Sequence, residues 1–225
     1  SGFRAAGVKA GIKPSGLPDL AVILSESACS AAGTFTTNRI AAAPVQWDRA
    51  LVPSESIRAV VINAGNANAA TGEQGLANAR RTAEIAAARL ACRPDQILLA
   101  STGVIGHQLP MDCIEAGLLL AIDQATHDAS GFHAASEAIL TTDTRPKVVS
   151  LHRTLDEGRT IRLLGLAKGA AMIGPRMATM LGFLLTDARV SPGSLQGILL
   201  EAVEETFNCI SVEGHTSTND TDLLL

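Results

Sequence analysis

The run from Glu73 to Ala91, written in Ala, Glu, Arg and Leu, lies between two short apolar runs, Ala59 to Ile62 and Ile97 to Ala100. No other feature constrains the fold as much. Leu76, Ala79, Ala83, Ala86, Ala87 and Leu90 recur near helical spacing, and Arg93-Pro94-Asp95 closes the segment, which predicts one long helix. The flanking runs are too short for helices and predict buried strands. Leu20 to Leu24, and the stretch from Met180 through Leu185, read the same way. Strands interleaved with helices make a mixed α/β chain. Of its 225 residues 47% are hydrophobic, enough for a sizeable core, yet aromatics are 3% and Tyr is absent. Such a core has to be built from small residues that let backbones approach closely.

The remaining text fits this frame. Phe3 to Val45 reads as short strands and turns with an antiparallel start, punctuated at Gly7, Gly11 to Pro14 and Gly16 to Asp19, and with a further strand end at Gly33 to Asn38. Pro110-Met111 starts a helix to about Ile122. Gly131 to Leu140 reads as a short helix whose His133 and Glu137 share a face as a solvated pair. Val148 to Leu151 and Thr160 to Leu166 flank Asp156-Glu157-Gly158-Arg159, a hairpin by its turn chemistry. Ser191 caps a helix that has Pro192 in its first turn and runs to about Phe207. Without linker tracts or repeats, residues 1–225 read as one domain.

Several function classes drop out on composition. A net charge of -4 with Lys and Arg spread singly offers no basic stripe, so no nucleic acid is expected. No apolar run approaches the ~20 uncharged residues of a membrane span, and Ser1-Gly2-Phe3-Arg4 does not resemble a signal peptide, so no membrane partner and a cytoplasmic location are expected, or an organellar one after loss of a presequence. Cys29, Cys92, Cys113 and Cys209 form no C-x-x-C pair, and the histidines have no ligand spacing, so neither a metal nor a disulfide framework is expected.

Thr179 and four polar blocks stand out against the apolar background. Thr179 interrupts an otherwise apolar lead into a strand, after Gly174, Pro175 and Met177-Ala178. Ser101-Thr102-Gly103 ends a buried strand in hydroxyls and a glycine, a pattern that can form an anion-binding nest or simply end a strand. Asn63, Asn66 and Asn68 sit among tiny residues, where their amides can fix a loop or polarise a carbonyl. Thr141-Thr142-Asp143-Thr144-Arg145-Pro146-Lys147 is a dense polar block, and Ser211 to Asp222 is another, either a long loop or a site wall.

Taken in order, Gly11-Ile12-Lys13, Phe35-Thr36-Thr37-Asn38, Asn66 to Gly72, Ser101 to Gly106, Thr141 to Lys147, Lys168-Gly169, Met177 to Leu181 and Thr216 to Thr221 resemble the ornithine acetyltransferase family of arginine biosynthesis, also called glutamate N-acetyltransferase. The resemblance implies an α/β layered sandwich with two sheets between helices, like that of N-terminal-nucleophile enzymes. It implies a precursor that cuts itself between Ala178 and Thr179, so that 1–178 resembles the family's α chain and 179–225 the start of its β chain. The freed Thr179 would be the nucleophile, with its own α-amine, of pKa about 8, as base. Thr102 and Gly103 match the oxyanion hole; Thr141, Lys168 and Thr179 match contacts to the amino-acid substrate. The implied partners are N-acetylornithine, glutamate and the protein's own cleaved second chain, in an α2β2 assembly. No cofactor is implied, with acetyl-CoA as a possible second acetyl donor.

Ala171, Arg176 and His215 depart from the family's usual Gly, small polar residue and Asp at those positions. Family members continue past the point matching Leu225, so the sequence is expected to be incomplete there. Two other readings compete: a related self-cleaving aminopeptidase or amidase, which hands the acyl group to water, and a non-catalytic relative that binds amino acids.

Overall fold

A computed structural model of the chain describes residues 2–156, 158–170 and 180–225. The strands are β1 (Phe3–Val8), β2 (Leu20–Phe35), β3 (Ser54–Asn66), β4 (Ile97–Val104), β5 (Lys147–Thr154), β6 (Thr160–Lys168), β7 (Leu181–Thr186) and β8 (Thr221–Leu224). The helices are α1 (Ala43–Arg49), α2 (Gly72–Leu90), α3 (Met111–Gln124), α4 (Ala129–Ala138) and α5 (Pro192–Glu205). Hydrogen bonding orders the strands β4-β3-β2-β8-β7-β6-β5, with β1 also on β2.

β2 holds this arrangement together. Its first half, Leu20 to Leu24, pairs antiparallel with β1 and β3. The register then shifts between Leu24 and Ala31, and its last four residues pair with β8. A bulge of this kind bends and twists a strand, and here it carries one strand from one sheet into a second. The sequence reading splits this strand in two, at Leu20 to Leu24 and at Gly33 to Asn38. The intervening Ser25 to Ser30 is largely polar, with Glu26 to Ala28 exposed, so it lacks the alternation that marks a strand.

The side-chain period of two shows how the layers stack. Leu20, Val22 and Leu24 face one core with Val61, Leu99, Ala83 and Ile122, under α2 and α3. Ala21 and Ile23 face a second core with Val60, Ile62 and Leu98, and meet Leu166, Leu181, Phe183, Leu185 and Leu223 of the other sheet. Leu224 turns to a third core with Leu195, Leu199 and Val203 of α5. The layers are thus helices, sheet, sheet, helix, as the family resemblance implies. Strands buried on both faces read as unbroken apolar runs. Each Leu, Ile or Val fully buried there contributes about 1.5–3 kcal/mol.

Small residues pack the way their abundance predicts. A Cβ on Gly7 would lie 2.0 Å from the carbonyl oxygen of Ala134, so α4 rests directly on the backbone of β1. α2 buries Ala79, Ala83, Ala86 and Ala87, while Leu76, near its start, stays exposed. Ala42 to Val45, read above among strands, belongs to the start of α1, where Pro44 fits the first turn. The capping Ser191 accepts from the N–H of Ser194 as expected, and α5 stops at Glu205. His133 and Glu137 form an exposed pair at 3.5 Å. Among the described residues no helix is long and apolar enough to cross a membrane.

Candidate active site

The parallel strands β3 and β4 end side by side, with Gly65 opposite Gly103. Gly103 has φ +133, and a Cβ there would sit 2.3 Å from the carbonyl carbon of Gly65. Only glycine allows this approach, and it leaves Thr102 and Gly103 together on the wall of a cavity of about 550 Å³. Lys168, at the end of β6, and Thr141 line the same cavity, as do Lys13 and Glu213. Four residues named from the sequence thus converge, although up to 66 positions separate them. Ala178 and Thr179 lie outside the described residues, as do Ala171 and Arg176.

Lys168 is the hub. Its side chain is 3% exposed, and its ammonium donates to Oγ1 of Thr102 at 3.0 Å and to Oγ1 of Thr141 at 2.7 Å. Burial lowers its pKa to about 8, against the opposing pull of the Asp143 carboxylate and with Lys147 and Lys13 pushing the same way as burial. A hydroxyl oxygen that accepts from an ammonium can turn its own proton toward a third group. Thr102 is therefore prepared to donate into the cavity.

Asp143 was not singled out from the sequence as a site residue. Its side chain is fully shielded, and Oδ1 accepts from the N–H of Gly169 at 2.8 Å and from Lys147. Oδ2 has no hydrogen-bond partner among the described residues and lies 4.0 Å from the Lys168 ammonium. Burial pushes this carboxyl up, but the hydrogen bonds from Lys147 and Gly169 and the charges of Lys168 and Lys147 outweigh it and hold it below the usual range. The density of polar residues in Thr141 to Lys147 was the available clue. What it could not show is that Asp143 points back under Lys168.

The Asn-rich loop resolves into structure. Asn63 donates to the carbonyl of Asn66, Asn66 to the carbonyls of His107 and Gln108, and Asn68 to that of Gly75. These amides fix the loop. The polar block near the end of the chain is a site wall: Asn219 Nδ2 donates to the carbonyls of Ala67 and Ser101, tying the approach to β8 onto the ends of β3 and β4. Ser217, Thr218 and Asn219 line the cavity. Behind it, Met180 and Leu181 border a small recess with Thr102, Lys168, Ser217, Asn219 and Asp220. Met180 is the residue that follows Thr179 in the sequence.

The arrangement suits an anionic or carbonyl-bearing small molecule. It offers a buried cation, hydroxyl donors and a glycine backbone on one wall, with a carboxylate, Glu213, on another. Among the described residues no group of three His, Cys, Asp or Glu is placed to hold a metal.

A family model described as the ArgJ family matches residues 4–225. The arginine biosynthesis bifunctional protein ArgJ of Thermus thermophilus is 51% identical over 225 residues, covering 100% of this chain and 56% of that protein. Its namesake in Rhodopirellula baltica is 45% identical over 224 residues, covering 100% of this chain and 54% of that protein. The chain spans about half the length of the curated relatives it matches. Among solved structures, the ornithine acetyltransferase of Mycobacterium tuberculosis complexed with ornithine superposes with TM-score 0.72 at 40% identity, over 80% of this chain and 93% of that chain. The L-aminopeptidase D-Ala-esterase/amidase of Ochrobactrum anthropi superposes with TM-score 0.55 at 14% identity, over 100% of this chain and 71% of that chain, a likeness of fold alone.

Proposed function

The chain belongs to the ArgJ family, and on that premise we propose that it carries the catalytic half of an acetyltransferase that moves acetyl from N-acetylornithine to glutamate. The observation that carries the proposal is the convergence of Thr102, Gly103, Thr141 and Lys168 on one cavity beside Met180. Thr179 is the nucleophile in this reading, made by cleavage of the Ala178-Thr179 bond.

In the first half-reaction the Thr179 hydroxyl attacks the acetyl carbonyl while its own α-amine takes the proton. The tetrahedral oxyanion is held by the Thr102 hydroxyl and the Gly103 N–H. Collapse breaks the bond to the α-nitrogen of ornithine, which leaves with that proton, and an acetyl ester remains on Thr179. Glutamate then brings its α-amine to the ester, and the same steps in reverse deliver N-acetylglutamate and restore the hydroxyl. Lys168 and Thr141 hold substrate carboxylate through both halves, since a buried ammonium gains most from an anion it can pair with.

The same proposal includes the cleaved chains remaining together as α2β2 and a cytoplasmic location. No cofactor is needed for transfer between two amino acids, and release of CoA with glutamate as acceptor would identify acetyl-CoA as a second donor. Intact mass of the purified protein is expected to show two chains, the second beginning at Thr179, and T179A to stay whole and inactive. An uncut wild-type protein that still transfers acetyl would overturn the mechanism.

A further inference from the structure

Lys13 reaches the proposed site from a loop outside the strands that build it. One carboxylate holds that loop. Asp19, fully buried just before β2, accepts from the N–H of Ala10 at 2.6 Å, of Ile12 at 2.7 Å and of Lys13 at 2.8 Å. Asp19 is fixed in turn, its N–H donating to the carbonyl of Val8 and its carbonyl accepting from the N–H of Ala64. The loop is thus bound to β1 and β3, and Lys13, Pro14 and Ser15 line the cavity with Thr102, Gly103, Thr141 and Lys168.

The side chain of Lys13 touches two walls of that cavity. Its stem lies over Gly65, where a Cβ would stand 3.0 Å from Cγ of Lys13, and Gly65 is the residue whose backbone meets Gly103. Its ammonium donates to the carbonyl of Pro18 at 2.5 Å and to that of Ala138 at 3.3 Å. Ala138 is the last residue of α4, where carbonyls lack a partner within the helix and a cation meets the negative end of the helix dipole. Three residues on is Thr141, whose Oγ1 accepts from Lys168. Water could satisfy such a helix end at no cost to a lysine. Here burial lowers the pKa of Lys13, with the Asp19 carboxylate opposing, so drawing this ammonium in from 125 positions away has a cost that capping alone does not explain.

We propose that Lys13 is a positioning residue that ties two walls of the cavity together: its stem backs the Gly65 and Gly103 contact, and its ammonium holds the end of α4 and with it the segment that brings Thr141 to Lys168. This rests on the reading of the cavity as the acetyl-transfer site. It goes beyond that reading by assigning the placement of the amino-acid subsite to a residue on a third element, with no contact to substrate required of it.

The test is K13M, which keeps an apolar stem over Gly65 and loses the donors. Amide hydrogen exchange of the purified protein reads the clamp directly. Exchange over residues 139–143 is expected to be about tenfold faster or more in K13M, the effect of losing one hydrogen bond from a charged donor. In steady-state kinetics, KM for N-acetylornithine and glutamate is expected to rise about tenfold, with kcat within about threefold because the stem still backs Gly103. The charge of Lys13 also helps lower the pKa of Lys168, after burial and Lys147 and against Asp143 and Asp220. The pH at which KM for glutamate begins to rise is therefore expected to lie higher in K13M, a shift that a lysine acting only on stability would not produce. Should K13M fail to fold, K13Q, with a shorter stem and a neutral donor, takes its place. Unchanged exchange over 139–143, an unchanged KM, a kcat that falls tenfold while KM stays put, or a rise of KM at the wild-type pH would overturn the proposal. A wild-type protein that transfers no acetyl would instead count against the acetyl-transfer reading, and the exchange result would still decide whether Lys13 holds the Thr141 segment.

Discussion

The ammonium of Lys168 donates to Oγ1 of Thr102 at 3.0 Å, so the buried cation and the strand-end hydroxyl act as one unit. The lysine fixes the hydroxyl oxygen as acceptor and leaves its proton for the cavity. T102A is expected to lower kcat by about a hundredfold to a thousandfold, the cost of one oxyanion donor. T102S keeps the hydroxyl and is expected to retain most of the rate. Steady-state kinetics of both variants check this.

In the proposed reaction the lowered pKa of Lys168, about 8 against an ordinary 10.5, is expected to give binding a pH dependence. The charge proposed to hold a carboxylate is present below about pH 8 and lost above it. KM for glutamate is therefore expected to be flat below pH 7 and to rise toward tenfold per unit above about pH 8. In D143N the supporting carboxylate is gone, and the rise should begin at lower pH. Stability runs the other way. Between about pH 8 and 10.5 the unfolded state binds the proton that the folded lysine has released, so this group's contribution to stability increases with pH.

Gly103 and Gly197 predict opposite outcomes for the same substitution. G103A has to displace the β3 backbone at Gly65, at a φ of +133, and is expected to cost more than about 2 kcal/mol in denaturant unfolding. In α5, Gly197 is exposed and nothing lies within 4 Å of an added Cβ. G197A is expected to stabilise by about 0.5–1 kcal/mol with activity unchanged.

Asn219 closes the site wall with two buried hydrogen bonds, to Ala67 and Ser101. N219A leaves both carbonyls short of a donor and is expected to destabilise by about 3 kcal/mol, seen as a lower midpoint in urea. Because the wall it ties down includes Ser217 and Thr218, KM for the amino acids is expected to rise in the same variant.

Much of the local structure was legible because its determinants are local. The α2 helix, the β5–β6 hairpin and the Ser191 cap follow from spacing, turn residues and a hydroxyl placed before a proline. α1 was hidden behind a short Ala-Pro-Val run that serves a strand equally well, and β2 was divided because its bend is exposed and polar. The role of Asp143 was not legible. It sits in a block rich in turn-forming polar residues, where a buried anchor and a solvated cap are written with the same letters.

By itself, then, the sequence determined the alternation of strands and helices, the reliance on small residues, and the types of side chain that reach the cavity: a lysine, two threonines and a glycine in a fixed order. Tertiary structure alone decided that Ala21 and Ile23 meet Phe183 and Leu223 across two sheets, that β2 belongs to both, and that Lys168 is buried against Thr102 and Thr141 with Asp143 behind it. The reason is physical. Periodicity and capping depend on neighbours a few residues away, whereas burial, and with it the charge state of a lysine, depends on which distant strands close over it.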